Sequence, residues 1–139
     1  MSIQNCDKKV WVNGTFDVLH VGHLKLLEYA KSFGYLTVGI DTDKRVKELK
    51  GIGRPFNNQN DRKLMLECLK FVDKVILFDS RQELIDSVKK YEPDVMVIGD
   101  DYKNQTVYGS EFAKELIFFE KIPNYSTTKI LNNESISDR

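Results

Sequence analysis

The sequence predicts an α/β domain built on a five-stranded parallel sheet with helices on both faces. Three observations predict it. Apolar, β-branched runs of strand length alternate with helical patterns along the chain. The resulting order βαβαβαβαβα implies parallel strands joined by right-handed crossovers. The third and fourth runs, "DKVILFD" and "DVMVIG", are nearly unbroken apolar stretches, as strands buried on both faces should be.

Each element has its own warrant. "KVWVN" (9–13) reads as the first strand. "HLKLLEYAKSFG" (23–34) reads as a helix with Leu26, Leu27, Ala30 and Phe33 on one face and Gly34 as its stop. "YLTVGID" (35–41) is the second strand, and "TDKRVKEL" (42–49) a short helix. "KGIGRPFNNQN" (50–60) is a loop by its Gly, Pro and Asn content. "DRKLMLECLKF" (61–71) is helical, with Leu64, Met65, Cys68 and Leu69 as its expected apolar stripe. The third strand covers 73–79. The helix at 80–91 opens on a capping box, Ser80 with Glu83. The fourth strand covers 94–99, a helical turn 109–115, the fifth strand 116–122 and a last short helix 126–133. The whole is read as one domain (1–139), a Rossmann-like fold with its core at about 9–131 and a polar tail at 132–139.

Composition narrows the function classes. With 139 residues, 41% of them apolar, the chain can bury a real core. Lys+Arg and Asp+Glu each total 21, so a general nucleic-acid binder, with its basic surplus, is not expected. A locally basic pocket for a small anion remains open. Cys6 and Cys68 have neither metal nor redox spacing, which suits reduced thiols in a cytoplasmic protein. The polar start "MSIQNCDKK" predicts no secretory leader, and no apolar run is long enough for a membrane span.

In an open parallel sheet, ligands bind beyond the carboxyl ends of the strands, at the point where strand order reverses. The segment "GTFDVLHVGH" (14–23) lies just past the first strand. Gly14 permits a tight turn and close backbone approach, and the N–H groups of Thr15 and Phe16 could cradle phosphate oxygens. The chain's two histidines, His20 and His23, stand three residues apart, on one side of a helix start. Helix starts attract anions, and imidazoles donate to phosphate oxygens. A buried packing role for His23 competes, because it also heads the apolar stripe. No G-K-[ST] or G-x-G-x-x-G follows the first strand, which excludes the Walker loop and the dinucleotide fingerprint.

Other candidates are weaker singly. Ser126, Thr127 and Thr128 open the last helix; Ser126 suits an N-cap, and three hydroxyls there would make a second phosphate cradle. Lys50, in "LKGIGRP", suits a mobile clamp for a charged transition state, with Arg54 close by and Arg62 opening the next helix. "GDDY" (99–102) follows the fourth strand, and its Asp100 and Asp101 could take a sugar hydroxyl, a base or a hydrated Mg²⁺.

Together these segments resemble the cytidylyltransferase-like nucleotidyltransferase superfamily. "GTFDVLHVGH" is similar to its G-x-F-D-x-x-H-x-G-H signature and "YSTTKI" to its S-T-T-x-I signature. The resemblance runs from about Val10 to Leu131. Class I aminoacyl-tRNA synthetases share the H-x-G-H element but are far longer. Two subfamilies compete. The adenylyltransferase that makes ADP-heptose from heptose 1-phosphate and ATP is echoed in "LKGIGRPFN", "VDKVILF", "GDDYKNQTVYGSE" and "IPNYSTTKI". Glycerol-3-phosphate cytidylyltransferase is echoed in "VNGTFDVLHVGH", "DRKLMLECLKFVD" and "STTKI". The loop "KNQTVYGSEFAKE" leans toward the heptose type. Three positions depart from these patterns. The heptose type has Lys-Gly-Gly-Asp-Tyr where this chain has Ile98-Gly99-Asp100-Asp101-Tyr102. Asn124 replaces a glycine, and Lys121 stands where the glycerol type has arginine.

The resemblance implies transfer of a nucleotidyl group from a nucleoside triphosphate, ATP or CTP, to a sugar or polyol phosphate, with pyrophosphate released. It implies Mg²⁺ with the triphosphate, and no nucleic-acid or membrane partner; a homodimer is compatible with it. His20, His23 and Lys50 would be catalytic. Gly14, Thr15, Phe16, Arg62 and Ser126–Thr128 would join the histidines in binding the nucleotide, and Asp17, Lys50, Asp100 and Asp101 would serve the acceptor. A nucleotide-binding module without catalysis is the alternative of another class; the intact motifs favour an enzyme.

Overall fold

A computed structural model describes residues 8–120. Five strands form one parallel sheet: β1 (Lys9–Gly14), β2 (Tyr35–Asp41), β3 (Lys74–Phe78), β4 (Val95–Gly99) and β5 (Glu115–Phe119). Four α-helices connect them: α1 (Val21–Lys31), α2 (Asp43–Lys50), α3 (Gln59–Glu67) and α4 (Arg81–Tyr91). Single 3₁₀ turns occupy Asp100–Tyr102 and Ser110–Phe112, the latter inside the helical turn expected at 109–115. The expected helix at 126–133 lies outside the described residues.

The strand order is β3-β2-β1-β4-β5. Chain order moves outward from β1 through β2 to β3, then jumps back to β4 on the other side of β1. The switch point therefore lies between β1 and β4, beside the segment that carries both histidines. Alternation along β1 divides the core. Val10 and Val12 join Leu27 and Ala30 of α1 and Leu66 of α3 in one cluster, while Trp11 joins Leu84 and Val88 of α4 in the other. Helices thus cover both faces, as expected.

β3 is an edge strand, yet both its faces pack as expected: Val75 and Leu77 lie with the first cluster and Ile76 and Phe78 with the second, Ile76 and Leu77 being half-buried. One expectation needs correction. In α3 the stripe is shifted: Arg62 and Leu66 are buried, while Leu64 is 59% exposed and Cys68 is exposed. The inward face of α3 begins with a charge, which an apolar count cannot see. The cap of α4 holds: Ser80 Oγ accepts the Glu83 N–H at 3.1 Å, and the Glu83 carboxylate accepts the Asp79 N–H at 2.7 Å. Among the described residues no helix is long and apolar enough to cross a membrane.

Candidate active site

A cavity of about 480 Å³ opens at the carboxyl ends of the strands. The last residue of every strand lines it: Gly14, Asp41, Phe78, Gly99 and Phe119. The sheet thus ends in one shared bowl, centred on the switch point.

The turn after β1 supplies the floor. Phe16 takes a positive φ of 49°, an uncommon conformation for a residue with a side chain. That turn buries the Phe16 ring beneath Gly14, where an added Cβ would come within 3.1 Å of the ring. Gly14 thus lets the Phe16 ring pack closely against its own turn. The Phe16 ring also lies against His23, with centroids 5.1 Å apart.

Both histidines line the cavity, on the expected common side. His20 is the N-cap residue of α1 and His23 stands in its first turn. Their rings stack 3.8 Å apart with planes 23° from parallel. The His20 backbone N–H donates to Nδ1 of His23 at 3.3 Å. A neutral ring that accepts at Nδ1 carries its proton on Nε2, so His23 has a donor at its far edge. The packing role foreseen for His23 and the binding role coexist: one edge is fixed by the helix start and a face by Phe16.

Basic groups gather on the β2 side. Lys50 is exposed at the end of α2 and lines the cavity, as do Arg45 and Arg54. Gly51 and Gly53, with φ of 92° and 91°, turn the chain after Lys50 in open space, so there glycine is required by conformation alone. The opposite side, from β4 and β5, is apolar and aromatic: Ile98, Tyr102, Tyr108 and Phe119. The guanidinium of Arg81, at the start of α4, lies 4.2 Å from the centroid of the Tyr108 ring and steadies that wall.

Two expected ligand contacts have other occupations. Arg62 is 0% exposed. Its guanidinium donates to the carbonyls of Thr15 at 3.0 Å, Asp41 at 2.8 Å and Asn57 at 3.0 Å, and pairs with the Asp43 carboxylate at 2.9 Å. It cannot reach a nucleotide; it ties the ends of β1 and β2 together from behind. Asp17, 1% exposed, uses its carboxylate on the loop after α2. It accepts from Arg54 Nε at 3.0 Å, from the Phe56 N–H at 2.7 Å and from the Asn57 N–H at 2.8 Å. Asp17 lines the cavity while its carboxylate positions that loop. Thr15 lines the cavity and donates its hydroxyl to Asp41 at 3.3 Å. Asp100 is half-buried in the turn whose cavity wall is made by Gly99 and Tyr102. Ser126, Thr127 and Thr128 lie outside the described residues, as does the side chain of Asp101.

The sequence reading passed over Asp41 and Arg45. Asp41 ends β2 one residue beyond Ile40, the register partner of Gly14, and the Arg45 side chain pairs with it. Burial pushes the Asp41 carboxyl above the usual carboxylate range, against the lowering effect of Arg45, Thr15 and Arg62. The usable signal was an aspartate ending an apolar strand, with arginine four residues on.

The cytidylyltransferase-like family model matches residues 11–133. A bifunctional protein HldE from Campylobacter fetus is 46% identical over 124 residues, covering 88% of this chain and 27% of that protein. The Campylobacter jejuni protein of the same name is 44% identical over 139 residues, covering 98% of this chain and 29% of that protein. The chain thus spans little more than a quarter of these curated relatives. A solved structure, the lipopolysaccharide core biosynthesis protein of Thermoplasma volcanium, superimposes with a TM-score of 0.68 at 25% identity, covering 83% of this chain and 98% of that one. With the switch-point cavity, the paired histidines and the family match in agreement, the chain belongs to the cytidylyltransferase-like family of nucleotidyltransferases.

Proposed function

We propose that this domain transfers an adenylyl group from ATP to a sugar 1-phosphate of the heptose type, releasing pyrophosphate. The observation that carries the reading is the stacked histidine pair at the start of α1, inside a cavity with a basic side and an aromatic side. The choice of heptose type is supported by the HldE relatives, 40–46% identical, and by the loop segments "KGIGRPFN" and "DDYKNQTVYGSE".

In this reading an oxygen of the sugar phosphate attacks the α-phosphorus of ATP. The new O–P bond forms as the bond to the bridging oxygen breaks, and that oxygen leaves on pyrophosphate. The nucleophile is already an anion, so no covalent enzyme intermediate is required. Catalysis then consists of positioning and charge stabilisation. The histidines hold the triphosphate at the helix start and donate to the transferring group. The backbone of Thr15 and Phe16 bounds the same position, and Lys50 closes over the reacting phosphates. Ser126, Thr127 and Thr128 would bind the β- and γ-phosphates, and Asp100 and Asp101 the sugar hydroxyls. Mg²⁺ would arrive on the triphosphate's own oxygens, since among the described residues no three His, Cys, Asp or Glu side chains gather to cage it.

A second reading is cytidylyl transfer to glycerol 3-phosphate. Ile98 and Asp100 favour it, since they replace the lysine and a glycine of the heptose pattern. Measuring kcat/KM for ATP and CTP against a heptose 1-phosphate and glycerol 3-phosphate tests both. ATP with the sugar phosphate should lead. A preference for CTP with glycerol 3-phosphate would replace the subfamily and keep nucleotidyl transfer.

A further inference from the structure

Two arginines on the basic side of the cavity are held in the same manner. Arg45 donates from Nε to Oδ1 of Asp41 at 2.8 Å, and Arg54 from Nε to Oδ2 of Asp17 at 3.0 Å. Their side chains are only 16% and 17% exposed. Among the described residues these are the only hydrogen bonds either guanidinium makes. A guanidinium fixed through Nε keeps its terminal nitrogens for a second partner, in a fork that matches phosphate oxygens.

The two tethers differ in what else they do. Asp17 also binds the Phe56 and Asn57 N–H groups, so its burial is explained by the loop it holds. Among the described residues the Asp41 carboxylate binds only Arg45 and the Thr15 hydroxyl. A buried ion pair seldom stabilises a fold by more than it costs in desolvation. Here the cost dominates at Asp41, whose carboxyl burial pushes upward in spite of its partners. Beyond the 3.3 Å contact with Thr15 the pair fixes no second segment among the described residues, so the binding of an anion at Arg45 is a role the geometry offers it.

Position selects the anion. The apolar wall of Ile98, Tyr102 and Tyr108 on the β4 side suits a base, and the histidines follow β1, which lies between β4 and the β2 strand that leads to Arg45. A triphosphate with its base on the aromatic wall and its α-phosphate at the histidines leaves the β2 side to the second substrate. We propose that Arg45, held by Asp41, is a specificity-determining residue that grips the phosphate of the acceptor and not the triphosphate. This rests on the nucleotidyl-transfer reading of the cavity.

The test is direct binding, independent of turnover. Mannose 1-phosphate and α,β-methylene-ATP are titrated calorimetrically into the wild type, Arg45→Lys, Arg45→Met and the double variant Asp41→Asn/Arg45→Met. The double variant removes both charges together and guards against Arg45→Met failing to fold around an unpaired Asp41. Loss of the fork in either Met variant should weaken mannose 1-phosphate about tenfold or more, with the ATP analogue changed less than about threefold. Arg45→Lys should recover only part of the loss. Unchanged mannose 1-phosphate affinity in the Met variants, or an equal loss for both ligands, would overturn the proposal. Arg45-dependent binding in a wild type that releases no pyrophosphate would remove the reaction and support the site.

Discussion

At the amino ends of the strands, aspartates cap the sheet from the surface; at the carboxyl ends they are buried. Asp94 accepts the Lys9 N–H at 2.8 Å and pairs with Lys114 at 3.1 Å, its side chain 23% exposed. Asp73 accepts the Leu36 N–H at 2.8 Å and pairs with Lys31, at 26% exposure. Their counterparts at the other end, Asp17 and Asp41, are 1% and 9% exposed and face arginines. Surface pairs of the first kind contribute little and cost little. Buried pairs cost desolvation and are kept where they hold a geometry. The difference teaches where the fold accepts a cost: the floor and rim of the cavity, with the left-handed Phe16 at its centre.

The largest effect expected from breaking this contrast is at Arg62. Arg62→Met leaves three carbonyls and the Asp43 carboxylate without their donor and should cost about 3–5 kcal/mol in urea unfolding. A loss below about 1 kcal/mol would mean that the carboxyl end is not organised by this residue. Next come the histidines. His20→Ala and His23→Ala should each reduce kcat by about 10²–10³-fold, with the fold intact by circular dichroism. Turnover near that of the wild type would return that ring to a packing role. Gly39→Ala, in the middle of β2, should cost about 1–3 kcal/mol by overpacking. Its Cβ would fall 2.7 Å from the Trp11 ring.

The smallest effect sharpens the contrast by sign. The Lys9 N–H and Lys114 hold the Asp94 carboxyl below its usual range. A lowered value means stability present at neutral pH and lost as pH falls through it. The penalty of Asp94→Asn, about 1 kcal/mol or less at neutral pH, should therefore shrink on acidification. Asp41 is raised by burial, so its contribution is complete at low pH and lost as pH rises. The stability of the wild type relative to Asp41→Asn should grow as pH falls. Parallel slopes for the two variants in unfolding titrations would contradict the distinction between the ends.

Much of the carboxyl end was legible from local pattern. Strand runs, the glycine that ends β1 and the histidine spacing placed the cavity, because periodicity and the switch-point rule act over short stretches. Asp17, Arg62 and Asp41 were misassigned or missed for a shared reason. Each has at least one partner 21 to 47 residues away: Asn57 for Asp17, Thr15 and the carbonyl of Asp41 for Arg62, and the Thr15 hydroxyl for Asp41. A charge satisfied by distant backbone looks, in sequence, like a charge offered to a ligand. Arg45 differs: its partner is four residues off, a spacing that reads as an ordinary surface pair until burial is known.

The central claim is that nucleotidyl transfer occurs at the histidine pair. The direct measurement is pyrophosphate release with ATP and a heptose 1-phosphate, by wild type and by the His20→Ala/His23→Ala double variant. The account predicts stoichiometric pyrophosphate and nucleotide-sugar from the wild type, with turnover falling by at least about 10²-fold in a folded double variant. No pyrophosphate from the wild type with any pairing of ATP or CTP and sugar or polyol phosphate, or undiminished release by the double variant, would contradict it.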